Sequence, residues 1–221
     1  VASRRTCACR LAFSSSLSLP PPPPPAPPPL PPPVPPPPSP PPPRETELVQ
    51  VGGLSLGLKW AENRVGFPIE LVLEAGTHEV PDGINIDASM GASEIVLRAA
   101  PGAAVTLIAD ISVSVGILVL DGLDGLDGRG LELRGSASSS AVAVSGGQLK
   151  VRGCTMTAYG LEGAVHVLGG EVTIEDSTLA DNRACGRQGG ALLVNGGALF
   201  LLNTNVTRNE AADGGAMFVT G

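Results

Sequence analysis

Along the second half of the chain, apolar residues alternate with polar ones in short bursts that recur. Val142 and Val144 fall in step with Val165 and Val167, with Leu192 and Val194, and with Met217 and Val219. Leu149 and Val151 fall in step with Val172 and Ile174, and with Leu199 and Leu201. Met156, Leu179 and Val206 make a third set. A period of two belongs to a strand with one face in a core, and no segment from 110 onward keeps a helical period of useful length. The pattern predicts three short strands per unit. It places Val165, Val167, Val172, Ile174, Leu192, Val194, Leu199 and Leu201 inside, because a slip of one residue would turn all of them to solvent.

The units are repeats. "GGQLKVRGCTMTAYG" from Gly146, "GGEVTIEDSTLADNR" from Gly169 and "GGALFLLNTNVTRNE" from Gly196 superpose without gaps, at offsets of 23 and 27. Before each runs a second register: "AVAV" at 141–144, "AVHV" at 164–167, "ALLV" at 191–194 and "AMFV" at 216–219. Three strands in about 25 residues, with no helix, make one coil of an all-β, single-stranded parallel β-helix, for which the resemblance given below implies a right-handed path. Its coils stack about 4.8 Å apart, so like residues fall on like. The paired glycines at 169–170 and 196–197 are expected at a corner between strands. Asn182 and Asn209 share another corner, where stacked amides form a structural ladder along the axis.

Composition divides the chain. Of 23 prolines, 20 lie between Pro20 and Pro43. That block, 20–43, is expected to be a polyproline II linker on the order of 70 Å long if straight. Residues 1–19 carry Arg, then a weak apolar run broken by serines. Damaged signal peptide, transit peptide and disorder all remain open for them. Residues 44–221 form the β-helix, and the opening on Val1 and the stop at "GGAMFVTG" read as a fragment truncated at its C-terminal side.

Charge narrows the partners. All 21 acidic residues lie at or beyond Glu45, while Arg4, Arg5 and Arg10 precede the proline block, so the folded part carries 11 − 21 = −10. Such a surface repels phosphate backbones, which argues against nucleic acid. No run of apolar residues is long enough for a transmembrane helix in this piece. Cys154 and Cys185 could pair in a secreted protein, but they do not fall at equivalent repeat positions and read as free buried thiols; Cys7 and Cys9 lie in the tail.

The motifs "GGALLV" and "GGAMFV", with Leu179-x-x-Asn182 and Val206-x-x-Asn209, resemble the GGA[ILV] and FxxN repeats of chlamydial polymorphic outer membrane proteins. Those belong to the pectin-lyase-like class of right-handed β-helices. The match covers about 140–221, with Leu179 and Val206 standing where the motif has Phe. Upstream, "ELVLEAGTHEV", "IVLRAAPGAAVTL" and "ILVLDGLDGLDG" are similar to the opening coils of that class, where an N-terminal cap precedes regular stacking. The proline block resembles extensin-like wall glycoproteins. Together these resemblances imply an extracellular or cell-surface protein.

Candidate chemistry is sparse. Hydrolases resembling polygalacturonases group aspartates on one strand face, whereas the first-strand outward row reads Ala143, His166, Leu193 and Phe218. That row, in His166, Leu193 and Phe218, is a candidate binding face for a glycan. Asp121, Asp124 and Asp127 are candidate Ca²⁺ ligands, although their alternation with glycine fits a turn-rich corner better. His78 and His166 read as solvated strand positions. Asn205-Val206-Thr207 is a glycosylation sequon. No cofactor is expected. The leading reading is a non-catalytic surface β-helix for adhesion, for binding a glycan or a wall or matrix component, or for spacing. The alternatives are a fragment of a pectin-lyase-like carbohydrate-active enzyme whose active coils are missing, and the passenger of a larger membrane protein.

Overall fold

We describe residues 43–91, 93–125, 130–135, 142–157 and 163–220 of a computed structural model of the chain, leaving aside the side chains of 185–187. The readings made above for 1–19, for nearly all of 20–43, for Asp127 and for the Cys185 side chain fall outside the described residues.

The elements run β1 (Glu45–Val49), α1 (Leu54–Glu62), β2 (Pro68–Leu73), β3 (Gly76–Ile86), β4 (Glu94–Ala99) and β5 (Val105–Val113). Then come β6 (Ile117–Asp121), β7 (Leu131–Arg134), β8 (Val142–Val144), β9 (Gln148–Arg152), β10 (Cys154–Thr157), β11 (Val165–Val167) and β12 (Glu171–Glu175). The last are β13 (Thr178–Ala180), β14 (Arg183–Gln188), β15 (Leu192–Val194), β16 (Ala198–Leu202), β17 (Asn205–Thr207), β18 (Glu210–Asp213) and β19 (Met217–Val219). Every strand pairing is parallel among the described residues, and the chain is a parallel β-solenoid of about six turns.

Two large sheets enclose the core. One has seven strands in the order β1-β2-β4-β6-β9-β12-β16, and the other has ten. In the ten-stranded sheet, β5 is long enough to pair with β7 through its first half and with β8 through its second. From β8 onward a corner separates these two halves, and each coil then has three strands. The two-stranded sheet of β14 and β18 lies in that corner.

The register is that of the sequence repeats. Val142, Val165, Leu192 and Met217 pair in succession, as do Leu149, Val172 and Leu199, and Met156, Leu179 and Val206. Val165, Val167, Val172, Ile174, Leu192 and Val194 are buried. Leu199 and Leu201 point the same way but are only half-buried, on the last described rung of their sheet. The intervening His166 and Thr173 are more exposed than their neighbours, as the phase requires.

One corner has the same length in the four turns from Val113 onward. Gly116, Gly147, Gly170 and Gly197 hold φ of 79°, 64°, 73° and 74° there, a region that side chains with a Cβ disfavour. The coils also meet closely at this corner: a Cβ on Gly170 would stand 2.5 Å from the Gly147 carbonyl oxygen, and one on Gly197 2.6 Å from that of Gly170.

The N-terminal end is closed by α1, which the strand pattern did not predict. Its buried residues Leu54, Gly57, Leu58 and Ala61 follow helical spacing, and Gly57 lets the helix settle on Val49 and Leu71. The Arg64 guanidinium lies 4.9 Å over the Trp60 ring and pairs with Glu45 at 3.3 Å.

His78 overturns its reading as a solvated position. It is fully buried on the inward side of β3, in line with Leu107, Leu133, Met156, Leu179 and Val206. Its Nε2 is 2.9 Å from the Glu74 carbonyl oxygen, and Nδ1 has no partner among the described residues. Facing a carbonyl oxygen, Nε2 is the donor, and the rest of the ring's surface packs as a hydrophobe would. Three residues further on, Pro81-Asp82-Gly83 bulge out of β3 opposite Asp110, between the pairs Val80–Ala109 and Ile84–Ile111.

Candidate functional site

The first-strand outward row is assembled as the repeats imply: Ala143 beside His166, His166 beside Leu193, and Leu193 beside Phe218. Its apolar members are only partly open to solvent. Leu193 is buried at 8% exposure, and Phe218 is half-buried. The chain's own corners run over them. A Cβ built on Gly189 would lie 3.1 Å from Leu193 Cα, and one on Gly214 3.1 Å from Phe218 Cβ. His166 is half-buried, with its Nε2 3.1 Å from Asn195 Nδ2.

Asp121 and Asp124 converge on a resident cation. The Arg98 guanidinium lies 3.5 Å from Asp121, 3.5 Å from Asp124 and 3.0 Å from Glu70. Asp121 Oδ1 also accepts the Leu123 amide at 3.1 Å, the turn chemistry that alternating glycines suggested. A guanidinium therefore already stands where these carboxylates converge. No cluster of three or more His, Cys, Asp or Glu suited to a metal occurs among the described residues.

Arg98 starts a longer feature on the outer face of the seven-stranded sheet. Arg98, Asp121, Arg152, Glu175 and Leu202 occupy one register row on successive strands. Signs alternate along it, with Arg152 3.6 Å from Glu175. The adjacent row reads Val96, Val119, Lys150, Thr173 and Phe200. Both rows end in large apolar side chains: Phe200 and Leu202 are each 50% exposed. These two were missed from the sequence. The signal was the run "ALFLL", where alternation fails and apolar residues fill both faces of the strand.

Polar ladders tie the third strand row. Asn182 Nδ2 donates to Met156 O at 3.1 Å and to Asn209 Oδ1 at 2.9 Å, and Asn209 Nδ2 donates to Leu179 O at 3.0 Å. A column of Cys154, Ser177 and Thr204 repeats a second motif. Ser177 Oγ donates to Glu175 O at 2.7 Å, Thr204 Oγ1 to Leu202 O at 3.0 Å, and Cys154 Sγ to Arg152 O at 3.1 Å. Burial pushes the Cys154 thiol up to about 12, so it stays protonated, free and unreactive at neutral pH. Outside the core, Asp181 accepts a two-pronged pair from Arg208 at 2.7 Å, and Arg183 meets Glu210 at 2.6 Å. Asn205 opens β17, exposed, with its backbone amide on Ser177 O at 2.9 Å.

Compared with protein-family models, with curated proteins and with solved structures, the chain matches none of them. No helix among the described residues is long and apolar enough to cross a membrane.

Proposed function

We propose that the chain is a non-catalytic extracellular or cell-surface β-solenoid that binds a glycan on the outer face of its seven-stranded sheet. One observation carries this reading: Phe200 and Leu202 stand half exposed beside a stretch of the face, Lys150, Arg152, Thr173 and Glu175, that is polar or ion-paired. A flat aromatic ring beside Lys150, Thr173 and Glu175 offers a sugar both a stacking surface and hydrogen-bond partners. The non-catalytic part is supported by the fate of the acids. Asp121, Asp124, Glu175, Asp181 and Glu210 all pair with arginines, an arrangement that welds coils together rather than one that moves protons. The resemblance of "GGALLV" and "GGAMFV" to outer-membrane protein repeats supports the surface location.

The test is a glycan array probed with the whole chain and with a Phe200→Ser, Leu202→Ser double variant. Binding lost in a folded variant is the expected result. Binding that survives it, or that fails instead in a Phe218→Ser variant, moves the site to the first-strand row, and no binding by the parent removes the glycan reading.

A further inference from the structure

Asn195 follows the last residue of β15, at an exposed corner, and Gly196 comes next in the chain's sole Asn-Gly pair. Its side chain is gripped at both ends. Thr220 Oγ1, one coil on, donates to Asn195 Oδ1 at 2.9 Å. Its Nδ2 lies 3.1 Å from Nε2 of His166, one coil back. The backbone fixes the three levels: Thr220 N donates to Val194 O at 2.8 Å, and Asn195 N to Val167 O at 2.8 Å.

An asparagine amide is attacked most readily by the following backbone nitrogen when that residue is glycine, which has no Cβ to block the approach and bends freely into the five-membered ring required. Two difficulties remain in water. Negative charge must build on Oδ1, and the amide nitrogen is a poor leaving group until it is protonated. Thr220 stands at the first atom and His166 at the second.

We propose that Asn195 is a self-modification site, where the amide is hydrolysed within the folded chain with the help of Thr220 and His166. The Gly196 nitrogen gives its proton to water and bonds to Asn195 Cγ. The carbonyl π electrons move onto Oδ1, where the Thr220 hydroxyl meets them. Nδ2, which as an amide donated to His166 Nε2, is now an amine that accepts; the proton shed to water returns to it through Nε2, the Cγ–Nδ2 bond breaks, and ammonia leaves. Water then opens the succinimide at either carbonyl, giving an aspartyl or an isoaspartyl link. The sum is amide plus water to carboxylate plus ammonium, with no oxidant and no cofactor. The product places a new negative charge beside His166. The proposal stands independently of glycan binding.

Gly196 cannot be used to test this by substitution, since a Cβ there would stand 2.7 Å from Leu168 O. Thr220→Val and His166→Leu serve instead, with thermal melts confirming that each folds. The whole chain is aged in warm buffer from mildly acidic to mildly alkaline pH, and the peptides are followed by mass spectrometry. The expected result is deamidation at Asn195 in the folded parent, with Asn63, Asn85 and Asn182 unchanged. It should slow several-fold in each variant. An Asn195 that stays intact in the folded chain while it deamidates in urea would overturn the proposal. So would folded variants that both react as fast as the parent.

Discussion

Asn182 and Asn209 sit 27 residues apart in sequence and one coil apart in space, with the amide of the first 2.9 Å from the carbonyl oxygen of the second. The same oxygen also accepts the Asn182 backbone N–H at 3.0 Å. Asn182 is fully buried, so water cannot replace either partner. Asn182→Ala should therefore cost about 1–3 kcal/mol, mostly through the side-chain bond lost at the Met156 carbonyl, since the Asn209 oxygen keeps the backbone N–H. Asn182→Asp should cost more, since an acceptor would face two acceptors. Urea denaturation with an unchanged slope checks both; a loss below about 0.5 kcal/mol for the alanine variant would contradict the ladder's role.

The Asp181–Arg208 pair predicts an acid dependence. Hydrogen bonds from Arg208 hold the Asp181 carboxyl below the usual range, with their Coulombic attraction adding to the effect. A carboxyl depressed in the folded state binds fewer protons there than in the unfolded state. Its contribution is present above the unfolded value of about 3.9 and is lost as pH falls through the folded value. An Asp181→Asn variant should lose the part of the acid-unfolding profile that lies below about pH 4. At neutral pH the change should be small and should shrink further in high salt, because both groups are exposed.

Cys154 should behave as a hydroxyl stand-in. Its column mates are Ser177 and Thr204, and its own amide donates to Ser177 Oγ at 3.2 Å. Cys154→Ser should stay within about 1 kcal/mol of the parent, whereas Cys154→Leu should lose roughly 1–3 kcal/mol by overpacking. In the folded protein, alkylation at Cys154 should follow local opening rather than thiol ionisation. Labelling at neutral pH that matches a free thiol's rate would show that the site is not sealed.

At His78, the aliphatic row supplies the prediction. His78→Leu continues Leu107 and Leu133, removes the partnerless Nδ1 and gives up one hydrogen bond to Glu74 O. Its thermal stability should shift by no more than about 1 kcal/mol. Leu107→Ala, in the same row, should lose roughly 2–5 kcal/mol. If the histidine variant is the more damaging of the two, the ring does more than fill the core.

The coils from Val142 onward were legible because each repeats its neighbour, so four copies of one strand fix its phase together. His78 had no such copies. Its strand is interrupted by the bulge at Pro81-Asp82-Gly83, and nothing before it sets which face is inward. The helix α1 was hidden for a related reason: it is short and contains Gly57, and only its packing on Val49 and Leu71 makes its apolar stripe meaningful. Leu193 was read as outward, which its register supports, but exposure depends also on the corners that cross it. Phe200 and Leu202 escaped notice because inward and outward residues are both apolar in that strand.

The constant glycine corner has a consequence for the length of the molecule. From Val113 to Ile117, Val144 to Gln148, Val167 to Glu171 and Val194 to Ala198, the chain crosses between sheets in the same number of steps, while the other corners vary. Gly116, Gly147 and Gly170 each accept, through the carbonyl, an amide from the next coil at 2.8, 3.0 and 2.9 Å. Cutting at one of these glycines and rejoining at another would remove or duplicate a whole turn, with every row kept in phase. Such a seam lets the solenoid be lengthened in steps of about 4.8 Å, like a ruler with one kind of graduation.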